Sequence, residues 1–230
     1  MIKMRKIGLI GGTSWHSTID YYRLINQLTN ERKGKEANPE ILMYSINIGL
    51  MFTQDWDLIG KEFTTYAKKL ESIGAEGLAL CANTPHKIAP QVSDAINIPL
   101  LHIADALGTY AQNQGIKTLG LLGTMPVMTG DFITGRIQEK FGIECLVPER
   151  TGVVNVHKMV VDELVKGVFS EEAKKLTIDE MNQLKEKGAD GVILGCTELP
   201  ILMKGISYDL PLLDSTAIHA KYCVDFVLND

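Results

Sequence analysis

A cysteine at the end of an apolar run is the strongest chemical signal in this sequence. Residues Gly188–Glu198 read GADGVILGCTE, so Cys196 ends a predicted buried strand and is followed by a hydroxyl and a carboxylate. Backbone N–H groups at the start of the next helix would stabilise a thiolate and lower the pKa of Cys196 below the free value of about 8.5. The pattern predicts an acid/base or nucleophilic role for Cys196. Thr197 and Glu198 would act beside it, with Glu198 able to bind a substrate ammonium.

A second copy of this stretch lies 114 positions earlier. Gly74–Thr84 reads GAEGLALCANT, and the superposition pairs Cys196 with Ala82. Two further pairs repeat at an offset of 112, namely Ile7–Thr13 with Leu119–Thr124 and Ile98–Leu101 with Leu210–Leu213. Three repeats in the same order predict two similar halves of roughly 110 residues. If the halves pack about a pseudo-two-fold axis, their strand ends face one another, and we expect the active site in that inter-domain cleft.

Apolar runs alternate with helical patterns along the chain. Two stripes at helical spacing are Ile59, Phe63, Tyr66, Leu70 and Ile73, and Val160, Val161, Leu164, Val165 and Val168. Such spacing is typical of amphipathic helices. Strands that alternate with helices predict the α/β class, with two pseudo-symmetric domains that each hold a mostly parallel sheet flanked by helices. In such sheets ligands bind beyond the carboxyl ends of the strands.

Two loops near predicted strand ends could contact a ligand. Gly11–Ser14 exposes backbone N–H groups before a helix, which would suit a small anion, although the glycines could equally serve only to turn the chain. We expect this helix to begin near Ser17, because Ser17 and Asp20 resemble a capping box. Gln54 lies in a second loop that either lines a cleft or lies on the surface.

Composition excludes several classes of function. Of the 230 residues, 45% are hydrophobic and 22% charged, and the net charge is −5. No basic cluster suits nucleic acid, and no apolar run reaches the length of about 20 residues that a membrane helix needs. The first apolar run is too short for a signal peptide, so we expect a cytoplasmic protein.

The cysteines and histidines give no sign of a metal site. Four cysteines show no zinc-like spacing with His102, His157 or His219, and in a reducing compartment they are thiols. A Cys–His nucleophile pair with His16 or His86 is conceivable. A lone histidine is more often a hydrogen-bonded structural residue.

Taken together, the motifs resemble a known family. They are Gly11-Gly12-Thr13-Ser14-Trp15-x-Ser17-Thr18 with Tyr21-Tyr22, Asn83-Thr84-x-His86, Leu100-x-His102-Ile103-Ala104-Asp105, Gly120–Thr124 and Gly195-Cys196-Thr197-Glu198. This combination is similar to the aspartate/glutamate racemase family and runs from about Lys6 to Ala220.

The resemblance implies a fold and a chemistry. Family members are cofactor-independent α/β enzymes, usually dimers, so we expect a homodimer with a first domain at 1–101 plus 214–230 and a second at 102–213. Two thiols on opposite faces of an acidic amino acid remove and return the α-proton, while hydrogen-bond donors hold the carboxylate. The expected substrate-binding residues are Thr13, Ser14, Gln54, Asn83, Thr84, Thr124, Lys166, Thr197 and Glu198.

The sequence departs from the family pattern at one position. Relatives carry cysteine or threonine before Asn83-Thr84, whereas this chain has Ala82, which cannot move a proton. Cys81 is adjacent and is a possible substitute, but side chains alternate along a strand, so it should point into the packing unless a bulge turns it.

This departure leaves three hypotheses open. The first is an amino-acid racemase that works without a cofactor, in which Cys196 serves one face and water, Cys81 or Thr84 the other. The second is a one-thiol lyase, decarboxylase or isomerase of a small dicarboxylate. The third is a non-catalytic amino-acid-binding relative that kept the pocket.

Overall fold

The computed structural model describes residues 4–229, and within that range the chain forms parallel strands joined by helices. The strands are β1 (Ile7–Gly11), β2 (Ile41–Ser45), β3 (Gly77–Leu80), β4 (Leu100–Leu101), β5 (Thr118–Leu122), β6 (Glu144–Leu146), β7 (Gly191–Leu194) and β8 (Leu212–Asp214). The α-helices are α1 (Trp15–Lys33), α2 (Gly49–Phe52), α3 (Trp56–Ser72), α4 (Ala89–Ser93), α5 (Ile103–Asn113), α6 (Met125–Thr129), α7 (Asp131–Phe141), α8 (Arg150–Asp162), α9 (Glu171–Glu186), α10 (Glu198–Leu202) and α11 (Ser215–Leu228). Short 3₁₀ helices occupy Thr84–Ile88 and Leu164–Lys166.

The chain divides into two compact units. One contains the residues up to Ile103 and those from Thr216 onward, and the other is Ala104–Ser215. Each unit holds one four-stranded parallel sheet, in the order β2-β1-β3-β4 and β6-β5-β7-β8. The two orders become identical when each strand number is shifted by four. The predicted α/β class with two similar halves is therefore confirmed.

In the first unit, alternate residues of the central strands enter different cores. Leu9 and Ala79 pack with α1 and α11, whereas Ile10 and Leu80 pack with α3. A parallel sheet covered on both faces produces this division because successive side chains point to opposite sides. Cys81 belongs to the core beneath α1 and α11.

In the second unit, one core lies between the sheet and helices α8 and α9. Val192 and Leu194 of β7 meet Val156 of α8 and Leu184 of α9, all of them buried. Ser170 caps α9, since its hydroxyl accepts the Ala173 N–H at 3.1 Å.

Two helix predictions were wrong in detail. Helix α1 begins at Trp15, because Ser14 and not Ser17 is the N-cap, and Ser17 lies inside the helix. The predicted stripe ending at Val168 is not one continuous helix, since α8 stops at Asp162 and Gly167 adopts a left-handed φ of 77°. The valines at 161, 165 and 168 are consequently exposed.

No helix within residues 4–229 combines the length and the apolar character required to cross a bilayer.

A partly buried carboxylate with two cations joins the first two long helices of the second unit. The carboxylate of Asp105 in α5 accepts from Arg136 Nε at 2.6 Å and Nη2 at 2.9 Å, and from Lys140 Nζ at 2.7 Å, both in α7. Burial acts to raise the pKa of Asp105, but these two cations outweigh it and the pKa falls below its ordinary value.

We expect Asp105→Asn to lower the free energy of unfolding at pH 7 by about 2 kcal/mol, because it leaves two partly buried cations without their carboxylate. The pKa of Asp105 is lower in the folded protein than in the unfolded chain, where it is about 3.9, so its ionisation stabilises the fold at a pH above about 3.9. This stabilisation is lost as the pH falls through the pKa of Asp105 in the folded protein. Urea denaturation from pH 7 to pH 3 should therefore show the difference shrinking in acid. Asp209→Asn, which breaks only an exposed pair with Lys185, is the matched control and should leave the midpoint unchanged.

Candidate active site

The glycine loop after β1 is closed by its own helix. Thr18 Oγ1 accepts the Gly12 N–H at 2.8 Å and donates to the Ser14 carbonyl at 2.9 Å. Gly12 has a φ of 89°, and a Cβ there would lie 2.3 Å from the Ile46 carbonyl oxygen, so only glycine fits. The Gly12 N–H is thus already occupied, while Thr13 and Ser14 remain half-buried at the loop surface.

The end of β3 places Ala82, Asn83 and Thr84 just beyond the sheet. Ala82 and Thr84 are half-buried and Asn83 is 6% exposed. Thr84 begins the 3₁₀ helix, with Pro85 in its first turn, where proline is favoured. These residues lie at the carboxyl edge of the first sheet, where α/β proteins bind ligands.

Cys81 is unsuited to replace the absent thiol at position 82. Its side chain is 1% exposed and packs in the core with Tyr21 and with Cys223 of α11. Burial raises its pKa far above the ordinary thiol value. The backbone passes from β3 into the 3₁₀ helix without turning this sulfur outward, which counts against Cys81 as the substitute acid/base group.

Gln54 lies on the surface of the first unit. It is exposed, in the loop between α2 and α3, and its φ of 53° is unusual for a residue other than glycine.

In the second unit, close approach of two glycines brings β5 and β7 together at their carboxyl ends. The Gly195 N–H donates to the Leu122 carbonyl at 2.7 Å, and a Cβ on Gly123 would lie 3.2 Å from the Gly195 carbonyl oxygen. The residues that follow, Thr124 and Cys196, are therefore neighbours at the edge of the sheet. The Thr124 hydroxyl oxygen is buried and, among the described residues, has no hydrogen-bond partner.

Cys196, Thr197 and Glu198 form a compact hydrogen-bonded group. One carboxylate oxygen of Glu198, Oε2, accepts from Cys196 Sγ at 2.7 Å and from Thr197 Oγ1 at 2.9 Å. Glu198 is 8% exposed and is the first residue of α10, whereas Cys196 is half-buried. The arrangement holds the thiol proton between sulfur and carboxylate.

The predicted direction of the Cys196 pKa shift was wrong. Burial and then the Glu198 carboxylate raise the pKa well above its ordinary value. The backbone N–H groups of Glu198 and Thr197 do lower it, as the sequence suggested, but they are outweighed. The sequence could not reveal that Glu198 folds back onto the sulfur two residues before it.

His157 is a residue near a strand end that the sequence analysis did not assign to the site. It is half-buried on α8, and its Nδ1 accepts the Met125 N–H at 3.3 Å, beside Thr124. Because a backbone N–H can only donate, the neutral ring carries its proton on Nε2. Its sequence context, NVHKMVV, carries no motif that could have pointed to this contact.

Lys166 lies in the 3₁₀ turn that packs against α10, the helix that Glu198 begins. Its side chain is exposed and makes no ion pair with any described residue. The structure thus places Lys166 near the helix that carries Glu198.

Two other histidines, His16 and His86, do not pair with a cysteine in the described part of the chain. His16 is exposed, and its ring lies 3.5 Å from that of Trp15, centroid to centroid, at an angle of 32°. His86 is completely buried. Across residues 4–229, no group of three or more acidic, cysteine or histidine side chains is arranged to hold a metal ion.

We expect Glu198→Gln to make Cys196 more reactive. Removing the carboxylate charge lowers the thiol pKa, so alkylation of Cys196 by iodoacetamide at pH 8 should become about tenfold faster. Cys145 is an internal reference, since burial and Glu144 raise its pKa to about 12 independently of Glu198. Mass spectrometry of each cysteine peptide measures both rates. An unchanged rate at Cys196 would mean that Glu198 does not control its proton.

Comparison with known proteins places this geometry in a family. The model of the Asp/Glu/Hydantoin racemase family matches residues 10–223. A candidate Asp/Glu racemase from Yersinia pestis has a crystal structure with a TM-score of 0.92 and 38% identity, covering 98% of this chain and all of that one. The crystal structure of an aspartate racemase homologue from Pyrococcus horikoshii OT3 has a TM-score of 0.86 and 33% identity, covering 99% of this chain and all of that one. The broad specificity amino-acid racemase RacX from Bacillus subtilis is 26% identical over 96% of this chain and 98% of its own length. The chain belongs to the Asp/Glu/Hydantoin racemase family.

Proposed function

We propose that this protein acts on acidic amino acids without a cofactor and that Cys196 exchanges the α-proton of the substrate. The observation that carries the proposal is the hydrogen bond from the Cys196 thiol to Glu198 at a strand end of a racemase-family chain. A thiol paired with a carboxylate can pass its proton on and become a base.

The proposed proton path has two steps. Glu198 accepts the proton of Cys196, and the thiolate then takes the α-proton and becomes a thiol again. A substrate ammonium near Glu198 would assist, because it offsets the negative charge that raises the pKa of Cys196. Binding of an amino acid would thus activate its own base.

Donors beside Cys196 would stabilise the charge that builds on the substrate carboxylate. The Thr124 hydroxyl is suited to this task because it is buried and lacks a partner among the described residues. Thr197 and, by family resemblance, Lys166 would add to it. By family resemblance, Thr13, Ser14, Gln54, Asn83 and Thr84 would also contact the substrate.

Ala82 limits what this site can do. Two proton-transfer groups, one on each face, are needed to invert an α-carbon efficiently, and alanine supplies none. We therefore propose that Cys196 removes and returns the proton on a single face of the substrate. The homodimer and the cytoplasmic location stay predictions.

The same observation favours a second candidate function. A lyase, decarboxylase or isomerase of a small dicarboxylate needs only one thiol, because it protonates one face of its carbanion. A non-catalytic amino-acid-binding protein would keep the donors and show no exchange at all.

Isotope exchange separates these functions. In D₂O, we expect deuterium to enter the α-position of one enantiomer of aspartate or glutamate, with retention, before the optical rotation decays. NMR and polarimetry on the same sample measure the two rates, and a panel of other amino acids tests how broad the specificity is. Equal rates of exchange and loss of rotation would contradict the one-base proposal.

Two variants test the roles of the opposing positions. Cys196→Ala should abolish exchange, whereas Cys145→Ala, which removes another half-buried thiol, should leave it unchanged. Ala82→Cys should raise racemisation, because it restores a proton donor on the second face. Measurable binding with no exchange for any amino acid would favour the binding-protein alternative.

A further inference from the structure

The backbone at position 82 is held by side chains, although the sheet has already ended there. The last paired residue of β3 is Leu80, opposite Ile10, and the Cys81 N–H still donates to the Ile10 carbonyl at 2.9 Å. Beyond this point β3 pairs with no strand in the described part of the chain. Buried carbonyl groups need partners, and here side chains supply them.

Two buried side chains bind the next two carbonyls. Ser17 Oγ, in α1, donates to the Cys81 carbonyl at 2.6 Å. His86 Nδ1 donates to the Ala82 carbonyl at 2.9 Å. Ser17 is 1% exposed and His86 is 0% exposed, so both donors are shielded from water, while Ala82 itself is half-buried.

The next carbonyl along the chain, that of Asn83, is also hydrogen-bonded. The Asn83 carbonyl accepts the His86 backbone N–H at 3.0 Å and lies 3.3 Å from His86 Nδ1. All three consecutive carbonyls, from Cys81 to Asn83, are therefore bonded within the protein. The direction of the Cα–Cβ bond of Ala82 follows from this fixed backbone.

The tautomer of His86 is determined by its partners. Its Nε2 accepts the Ile103 N–H at 3.2 Å, and because that donor cannot accept, the ring proton must be on Nδ1. Burial, with His102 and His219 nearby, lowers the pKa of His86 well below its ordinary value, so the ring stays neutral. The ring is packed 4.5 Å from His102, centroid to centroid.

We propose that His86 is a positioning residue for position 82: its Nδ1–H, bonded to the Ala82 carbonyl, fixes the direction in which the side chain of residue 82 meets the substrate. This rests on the proposed function, since position 82 is where the second acid/base group would stand. Ser17 supports the same segment from the preceding carbonyl. The backbone is accordingly preorganised for an acid/base side chain that alanine does not provide.

Two substitutions of His86 separate its two hydrogen bonds. The amide nitrogen of asparagine lies close to the place of Nδ1, so His86→Asn keeps the donor to Ala82 and loses the bond to Ile103. The amide oxygen of glutamine reaches the place of Nε2, so His86→Gln keeps the acceptor for Ile103 and loses the donor to Ala82. Each variant loses one buried hydrogen bond, which makes their stabilities comparable.

The test uses both variants in the Ala82→Cys background. We expect kcat for racemisation of the acidic amino acid to fall by about tenfold or more with His86→Gln and to stay within about threefold with His86→Asn. The pH profile for alkylation of the introduced thiol by iodoacetamide, followed on its own peptide, should shift with His86→Gln and not with His86→Asn. Equal loss in the two variants, or no loss in either, would overturn the proposal.

Alkylation needs no substrate, so it separates this proposal from the proposed function. If no variant exchanges or racemises any amino acid, the proposed function fails, while the alkylation profiles still decide the role of His86.

If His86→Gln does not fold, Ser17→Ala in the same background removes only the hydroxyl that holds the Cys81 carbonyl. It should lower racemisation and shift the alkylation profile of the introduced thiol in the same sense, and an unchanged profile would count against a fixed backbone at position 82.

Discussion

The hydrogen bond between the Cys196 thiol and the Glu198 carboxylate is the interaction on which the proposed function of this chain depends. It decides where the thiol proton resides, and it opposes the helix N–H groups that would otherwise favour the thiolate. A base whose pKa is raised by a neighbouring anion is inactive until that charge is offset. In the proposed function, the ammonium group of the substrate would supply this positive charge. The Glu198 carboxylate would then both keep the thiol protonated in the free protein and allow the substrate to activate it.

The internal repeat supplies two equivalent strand edges that differ in their chemistry. Both sheets have the same strand order, and each central pair ends at a segment rich in hydroxyl and amide groups. The second edge carries a thiol with its carboxylate. The first edge retains a backbone held by Ser17 and His86 but ends in a methyl group. The asymmetry therefore lies in the side chains that follow the strands, while the strand order is the same. These side chains are Ala82, Asn83 and Thr84 at one edge and Cys196, Thr197 and Glu198 at the other.

Local patterns in the sequence predicted the fold well, because strands, helices and their order depend on apolar periodicity and on turn residues. The strands before Ala82 and Cys196 and the helix that carries Ile59, Phe63 and Leu70 were found this way. The sequence did not reveal contacts between distant residues, such as His86 with Ile103 or His157 with Met125. The pKa of Cys196 was misjudged for a related reason: two opposing effects act on it, and only coordinates show that Glu198 reaches the sulfur. Local spacing likewise suggested a helix cap for Ser17, because nothing nearby in the sequence shows that the Cys81 carbonyl needs its hydroxyl.

A crystal structure with a bound four- or five-carbon dicarboxylate tests the central claim most directly. We expect one carboxylate to accept hydrogen bonds from Thr124 or Thr197, with the adjacent carbon against Cys196 Sγ. A dicarboxylate bound away from Cys196, or a sulfur of Cys81 brought against the ligand, would contradict this claim.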